Sequence, residues 1–171
     1  MNPTTSGEGT DSRLRFPEVA GRTLLGDDVT LPHDLPAVRT LALVAFQRGH
    51  QGQVDRWIER AVAVGVPATP RGQEQPMALA VVEIPALSSQ WRAVRRFIDG
   101  GMTSGIGDPD VLARTITTYT DVGALRRSLG IPSNEDVWAF VVTRDGTISA
   151  RAHGDPDDDA WGAIAAALLA D

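Results

Sequence analysis

The stretch 41-LALVAFQRGHQGQVDRW-57 constrains the fold of this chain most tightly. Leu41 to Phe46 is a nearly continuous apolar run, which suits a strand covered on both faces. A polar turn follows. Over residues 53–64, Val54, Trp57, Ile58, Ala61 and Val62 then recur at helical spacing, with Asp55, Arg56, Glu59 and Arg60 on the other side. That is one apolar stripe on an amphipathic helix. A two-sided buried strand feeding such a helix is the opening of a β–α–β unit.

The rest of the chain continues the pattern. Gly26, Asp27 and Asp28 separate two apolar pieces in residues 22–32, a β-hairpin signal. Residues 77–84 (MALAVVEI) read as a second buried strand ended by Pro85, and residues 89–99 as a helix with Trp91, Val94, Phe97 and Ile98 on one face. A Gly-rich loop, 100-GGMTSGIGDPD-110, comes next. TITTY (115–119) is β-branched and reads as a short strand. Thr120 or Asp121 caps a helix over 122–129, which Gly130 and Pro132 terminate. Residues 137–142 and 147–152 form a hairpin across Arg144-Asp145-Gly146. The acidic run 155–159 with Pro156 then opens a last helix reaching about Leu169. Trp57, Trp91, Trp138 and Trp161 fall on apolar faces and read as core anchors. The expected architecture is α/β: a three-layer sandwich with a mixed central sheet, helices on both faces and an N-terminal β-hairpin.

Composition excludes several functions. With 171 residues the chain fits one domain, here expected over 16–171 after a flexible tail at 1–15. The formal net charge is −6, and all 16 basic residues are arginines without a basic block. Nucleic acid is therefore not an expected partner. The absence of cysteine removes thiol catalysis, disulfides and thiolate metal sites together. The polar stretch MNPTTSGEGTDSR does not read as a signal peptide, and no apolar run has spanning length, so a cytoplasmic protein is expected.

The order of elements resembles the thioredoxin-like fold with the N-terminal hairpin of peroxiredoxin-type proteins. FPEVAGRTLLGDDVTLP, LALVAFQRGHQGQVDRW and VWAFVVTRDGTISARAHG carry that resemblance over roughly residues 16–170. AFQRGHQGQVDRW, FIDGGMTSGIGDPD, TITTYTD and EDVWAFVVTRDG also look like the thioredoxin-like mitochondrial ATP synthase assembly factors and their bacterial relatives, which lack the cysteine pair. Matched to the redoxin motif, the two cysteine positions fall on Gln51 and Val54, and the cis-proline position falls on Val137. A cis bond before Val137 is not expected, because a non-proline cis peptide costs about 2.5–4 kcal/mol. An amide such as Gln51 cannot replace a thiolate nucleophile.

Candidate binding residues lie in two places. Arg48, His50 and Gln51 occupy the start of the first helix, where free N–H groups favour an anion. Asp99, Gly100, Gly101, Met102, Gly105 and Arg114 mark the Gly-rich loop and its arginine flank, which suit a partner or a small anion. Each also has a plain reading, as a solvated turn and as a flexible connection. His33, His50 and His153 lack metal-ligand spacing, so no metal and no cofactor are expected. GxGxxG and GxSxG are missing. Two functional expectations result. One is a non-catalytic, protein-binding protein of assembly-factor or chaperone-like type. The other is an enzyme or anion-binding protein that uses the Arg48/His50 turn and the 100–107 loop. Partner identity and oligomeric state stay open.

Overall fold

The computed structural model describes residues 13–88 and 107–171. Its strands and helices are β1 (Val19–Thr23), β2 (Asp28–Leu31), β3 (Ala37–Ala45), α1 (Gln51–Ala63), β4 (Met77–Ser88), α2 (Pro109–Arg114), β5 (Ile116–Thr120), α3 (Val122–Ser128), β6 (Trp138–Thr143), β7 (Ile148–His153) and α4 (Asp158–Leu168). A single 3-10 turn, Arg48–His50, leads into α1. The expected helix at 89–99 lies outside the described residues.

The strands form one mixed seven-stranded sheet in the order β2-β1-β5-β4-β3-β6-β7. β4 runs parallel to β3 and to β5, and the remaining pairs are antiparallel. β3 shows why its sequence is an unbroken apolar run. Alternate side chains point to opposite faces, and both faces are covered. Leu41 and Leu43 pack with Val54, Trp57 and Ile58 of α1 and with Ile164 and Leu168 of α4. Ala42 and Val44 pack on the other face with Val82, Ile84, Phe140 and Leu125 of α3. Trp57 is fully buried, and the partly buried Trp161 leans on it at 6.3 Å. Trp138 is buried as well, while Trp91 is outside the described residues.

Three boundaries differ from the sequence reading. β3 begins at Ala37, because Arg39 and Thr40 continue the ladder with both β4 and β6 despite their polarity. β4 continues past Pro85 to Ser88. Pro85 sits opposite Ala45, the last residue of β3, so its missing N–H falls where that ladder ends. The end of the Gly-rich segment forms α2. Asp108 caps it by accepting from the Asp110 amide at 2.8 Å, with Pro109 in the first turn. Asp121 and Asp157 cap α3 and α4 in the same way, through Ala124 N–H and Ala160 N–H.

Among the described residues no helix is long and apolar enough to cross a membrane. Leu43 is fully buried and Val38 is 54% exposed on the same strand. Leu43→Ala is expected to cost ~2–5 kcal/mol of unfolding free energy, and Val38→Ala to stay within about 0.5 kcal/mol. Urea denaturation of both variants checks this.

Candidate functional site

The turn after β3 is tied to the segment that enters β6. His50 is buried, and its Nδ1 accepts from the Phe46 amide at 3.2 Å. A nitrogen that accepts carries no proton, so the ring is the neutral Nε2–H tautomer. Nε2 then donates to the Glu135 carbonyl at 3.1 Å. Gln47 donates to the Asn134 carbonyl at 3.0 Å. Gln53 donates to Asp136 Oδ1 at 3.0 Å and accepts from the Val137 amide at 2.9 Å. Four side-chain hydrogen bonds thus join residues 47–53 to 134–137. The cis peptides among the described residues are Leu31–Pro32 and Gln75–Pro76, so the bond before Val137 is trans. Val137 supplies an N–H that a proline there would lack.

A second cluster lies under the first turns of α1. Glu83 sits in the apolar middle of β4 and is 5% exposed. Its pKa is raised above the ordinary 4.5, first because burial disfavours the carboxylate. Arg114, the Thr115 hydroxyl and Gln51 oppose that rise, while Asp55 adds to it. Arg114 Nε stands 3.7 Å from Glu83 Oε1, too far for a hydrogen bond, so its compensation is partial. Arg114 also donates to the Ala68 carbonyl at 3.1 Å. Thr115 Oγ1 lies 3.0 Å from Glu83 Oε2 and 2.7 Å from the Val111 carbonyl. One hydroxyl hydrogen serves one acceptor at a time. The Thr115 hydroxyl therefore divides its hydrogen between Glu83 and the Val111 carbonyl, and its support of the carboxylate is partial. Burial thus outweighs these partners, and the pKa of Glu83 stays raised.

Two of the sequence-derived candidates meet at this acid. Gln51 reaches it from α1, and also donates to Asp55 Oδ1 at 2.9 Å. Arg114 reaches it from the end of α2. Arg48 stays exposed on the surface of the turn. His50 directs both ring nitrogens inward. Asp99, Gly100, Gly101, Met102 and Gly105 lie outside the described residues. The sequence reading passed over Glu83, although one carboxylate inside MALAVVEIPAL was a visible signal, since fully buried glutamates are rare unless paired. His33 faces Glu18 at 3.8 Å and His153 faces Asp136 at 3.7 Å, on separate parts of the surface. No group of three metal-ligating side chains occurs among the described residues.

Comparison with solved structures places this geometry. An exposed lipoprotein thioredoxin from Streptococcus pneumoniae superposes with a TM-score of 0.53 at 12% identity, over 85% of this chain and 95% of its own. The fold is thioredoxin-like. BsSco, a member of the Sco family of cytochrome c oxidase assembly proteins, also gives 0.53, at 10% identity over 94% of this chain and 96% of its own. An uncharacterized conserved protein from Geobacillus kaustophilus gives 0.53 at 15% identity, over 91% and 79%. No family model and no curated protein matches the chain. The thioredoxin-like scaffold is thus present without cysteine, and thiol–disulfide exchange by its own side chains is ruled out.

His50→Ala is expected to cost about 1–3 kcal/mol, because it leaves the Phe46 amide and the Glu135 carbonyl without their partner; urea denaturation measures it. Folding raises the affinity of Glu83 for its proton. That contribution is complete below pH 4.5 and is lost as pH rises through the folded value. Glu83→Gln is therefore expected to be more stable than the parent at neutral pH. The gap should close below the ordinary glutamate range in a series of thermal melts against pH.

Proposed function

We propose that this cysteine-free thioredoxin-like protein acts by binding another protein, as an assembly-factor or chaperone-like adaptor. The observation that carries the reading is the bonded turn at residues 47–53. Where the redoxin motif places reactive thiols, Gln51 bonds to a neighbouring helix residue and Val54 is buried. His50 and Gln53 spend their polar atoms on the 134–137 segment. Such a turn offers shape rather than a reactive atom. Its exposed part is Gln47, Arg48, Gly49, Gln51 and Gly52, a low surface with one guanidinium able to grip a carboxylate. The resemblance of AFQRGHQGQVDRW and EDVWAFVVTRDG to the thioredoxin-like ATP synthase assembly factors suggests a subunit of a membrane complex as the class of partner.

A second reading has one observation in its favour. The buried Glu83, its pKa raised by burial and with Arg114 and Gln51 beside it, has the makings of an acid–base site on a repurposed scaffold.

Affinity capture at native expression level should return a specific partner. Purified partner should then bind the parent and lose affinity for Arg48→Glu and Gly49→Trp, while Asp159→Ala, exposed in the first turn of α4, binds normally. Equal binding of all four proteins, or turnover of peroxide or a disulfide by the pure protein, would overturn the adaptor reading.

A further inference from the structure

The sheet forks, and the fork holds a second site at the edge opposite the start of α1. β5 meets β4 only from the Glu83–Thr115 bridge onward, through Ala86–Thr118 to Ser88–Thr120. Upstream of that bridge the chain is helical. α2 lies where β5 would otherwise continue, packed against β1 and β4. A helix keeps its N–H and C=O groups within itself and cannot extend a ladder, so the first half of β4 is not paired with β5. The opening is a cavity of about 370 Å³, bounded by the β1–β2 hairpin, α2 and the segments that enter β3 and β4.

We propose that this cavity binds a small carboxylic acid with an apolar body, its carboxylate held by Arg71 and Arg144. The floor is apolar, made of Val29, Leu35, Val82, Ala113 and Ile116. Val82, Leu35 and Ile116 are almost completely buried there, so the bottom of the cavity is sheet core. Both arginines line it, from two different loops. Arg144 Nε donates to the His33 carbonyl at 2.9 Å, which steadies the side chain and leaves its terminal nitrogens as donors. Arg71 stands 3.5 Å from Asp110, at the limit of a hydrogen bond, and gives up little by turning to a ligand. Guanidinium groups stay charged at every working pH and match a carboxylate in two-point contact.

The volume sets the size class. It lies near the lower end of the roughly 300–1,000 Å³ range of small-molecule sites, which suits a branched or aromatic acid. The rim also carries Asp34, whose Oδ2 takes the Thr30 amide at 2.7 Å, and Asp27, whose Oδ2 is 3.5 Å from Thr23 Oγ1. These carboxylates could receive an ammonium group, so an amino acid and its 2-oxo acid share the required chemistry.

Isothermal titration of the full chain tests the proposal with leucine, phenylalanine, 4-methyl-2-oxopentanoate, phenylpyruvate and the primary amide of each. At least one acid should bind, and its amide should bind about tenfold more weakly. Arg71→Ala and Arg144→Ala should each raise Kd about tenfold, and Ala113→Trp should abolish binding by filling the cavity. Arg48→Ala, at the other edge, should leave Kd unchanged, which separates this site from the turn assigned to a protein partner. Preference for the amino over the oxo series would assign Asp27 and Asp34 to the ammonium; the reverse would leave the arginines as the whole polar recognition. The proposal is overturned if no acid binds, if acid and amide bind alike, or if both arginine variants bind like the parent. Circular dichroism monitors folding; should Ala113→Trp unfold, the two arginine variants decide.

Discussion

Gln53 holds the two halves of the site end together. Its carboxamide accepts from the Val137 backbone and donates to Asp136, so one side chain fixes where α1 begins relative to β6. His50 repeats the logic one turn earlier, between Phe46 and Glu135. Trp57 repeats it one turn later by donating to the Gly154 carbonyl at 2.9 Å, and Arg56 adds an ion pair with Asp155. Three successive turns of chain thus grip the segments flanking β6 and β7. The bonds of His50, Gln53 and Trp57 use partly or fully buried polar groups, where an unmade hydrogen bond is costly, while the Arg56–Asp155 pair is exposed. The turn is consequently a rigid part of the molecule rather than a loop laid over it.

The architecture was legible because burial on two faces leaves a plain trace. LALVAF and MALAVV have no polar alternation, and the Val54–Trp57–Ile58–Ala61 stripe has the period of a helix. Turn chemistry was equally plain: Gly26, Gly130 and Gly146 sit at positive φ where the chain reverses. Gly146 is additionally close-packed, with Phe16 O only 3.1 Å from where a side-chain carbon would stand. Boundaries were harder to read. Pro85 signals an end to a local rule, yet the ladder simply changes partner there, from β3 to β5. α2 was hidden because Gly-rich sequence precedes it, although Asp108-Pro109 is a proper helix start.

The site was less legible for a physical reason. Gln51 and Arg114 are 63 residues apart, and their convergence on Glu83 is created by the parallel pairing of β4 with β5 and the placement of α1 above them. Spacing along a chain carries no trace of such a meeting. The odd carboxylate in an apolar strand does carry one, because burying it without compensation would be severe. His50 shows the opposite case: its residue type suggests surface chemistry, whereas its two ring nitrogens serve the scaffold.

The same fork that opens the cavity beside the first half of β4 also sets Glu83 at its vertex, with Thr115 as the bridging residue. Events on one face of the sheet are thereby one residue away from the other, since Val82 floors the cavity while Glu83 faces α1. A last consequence belongs to the lack of cysteine. Nothing in this framework is made or broken when glutathione is oxidised or when a reductant arrives. The thiol–disulfide balance of its surroundings therefore has no cysteine here to act on.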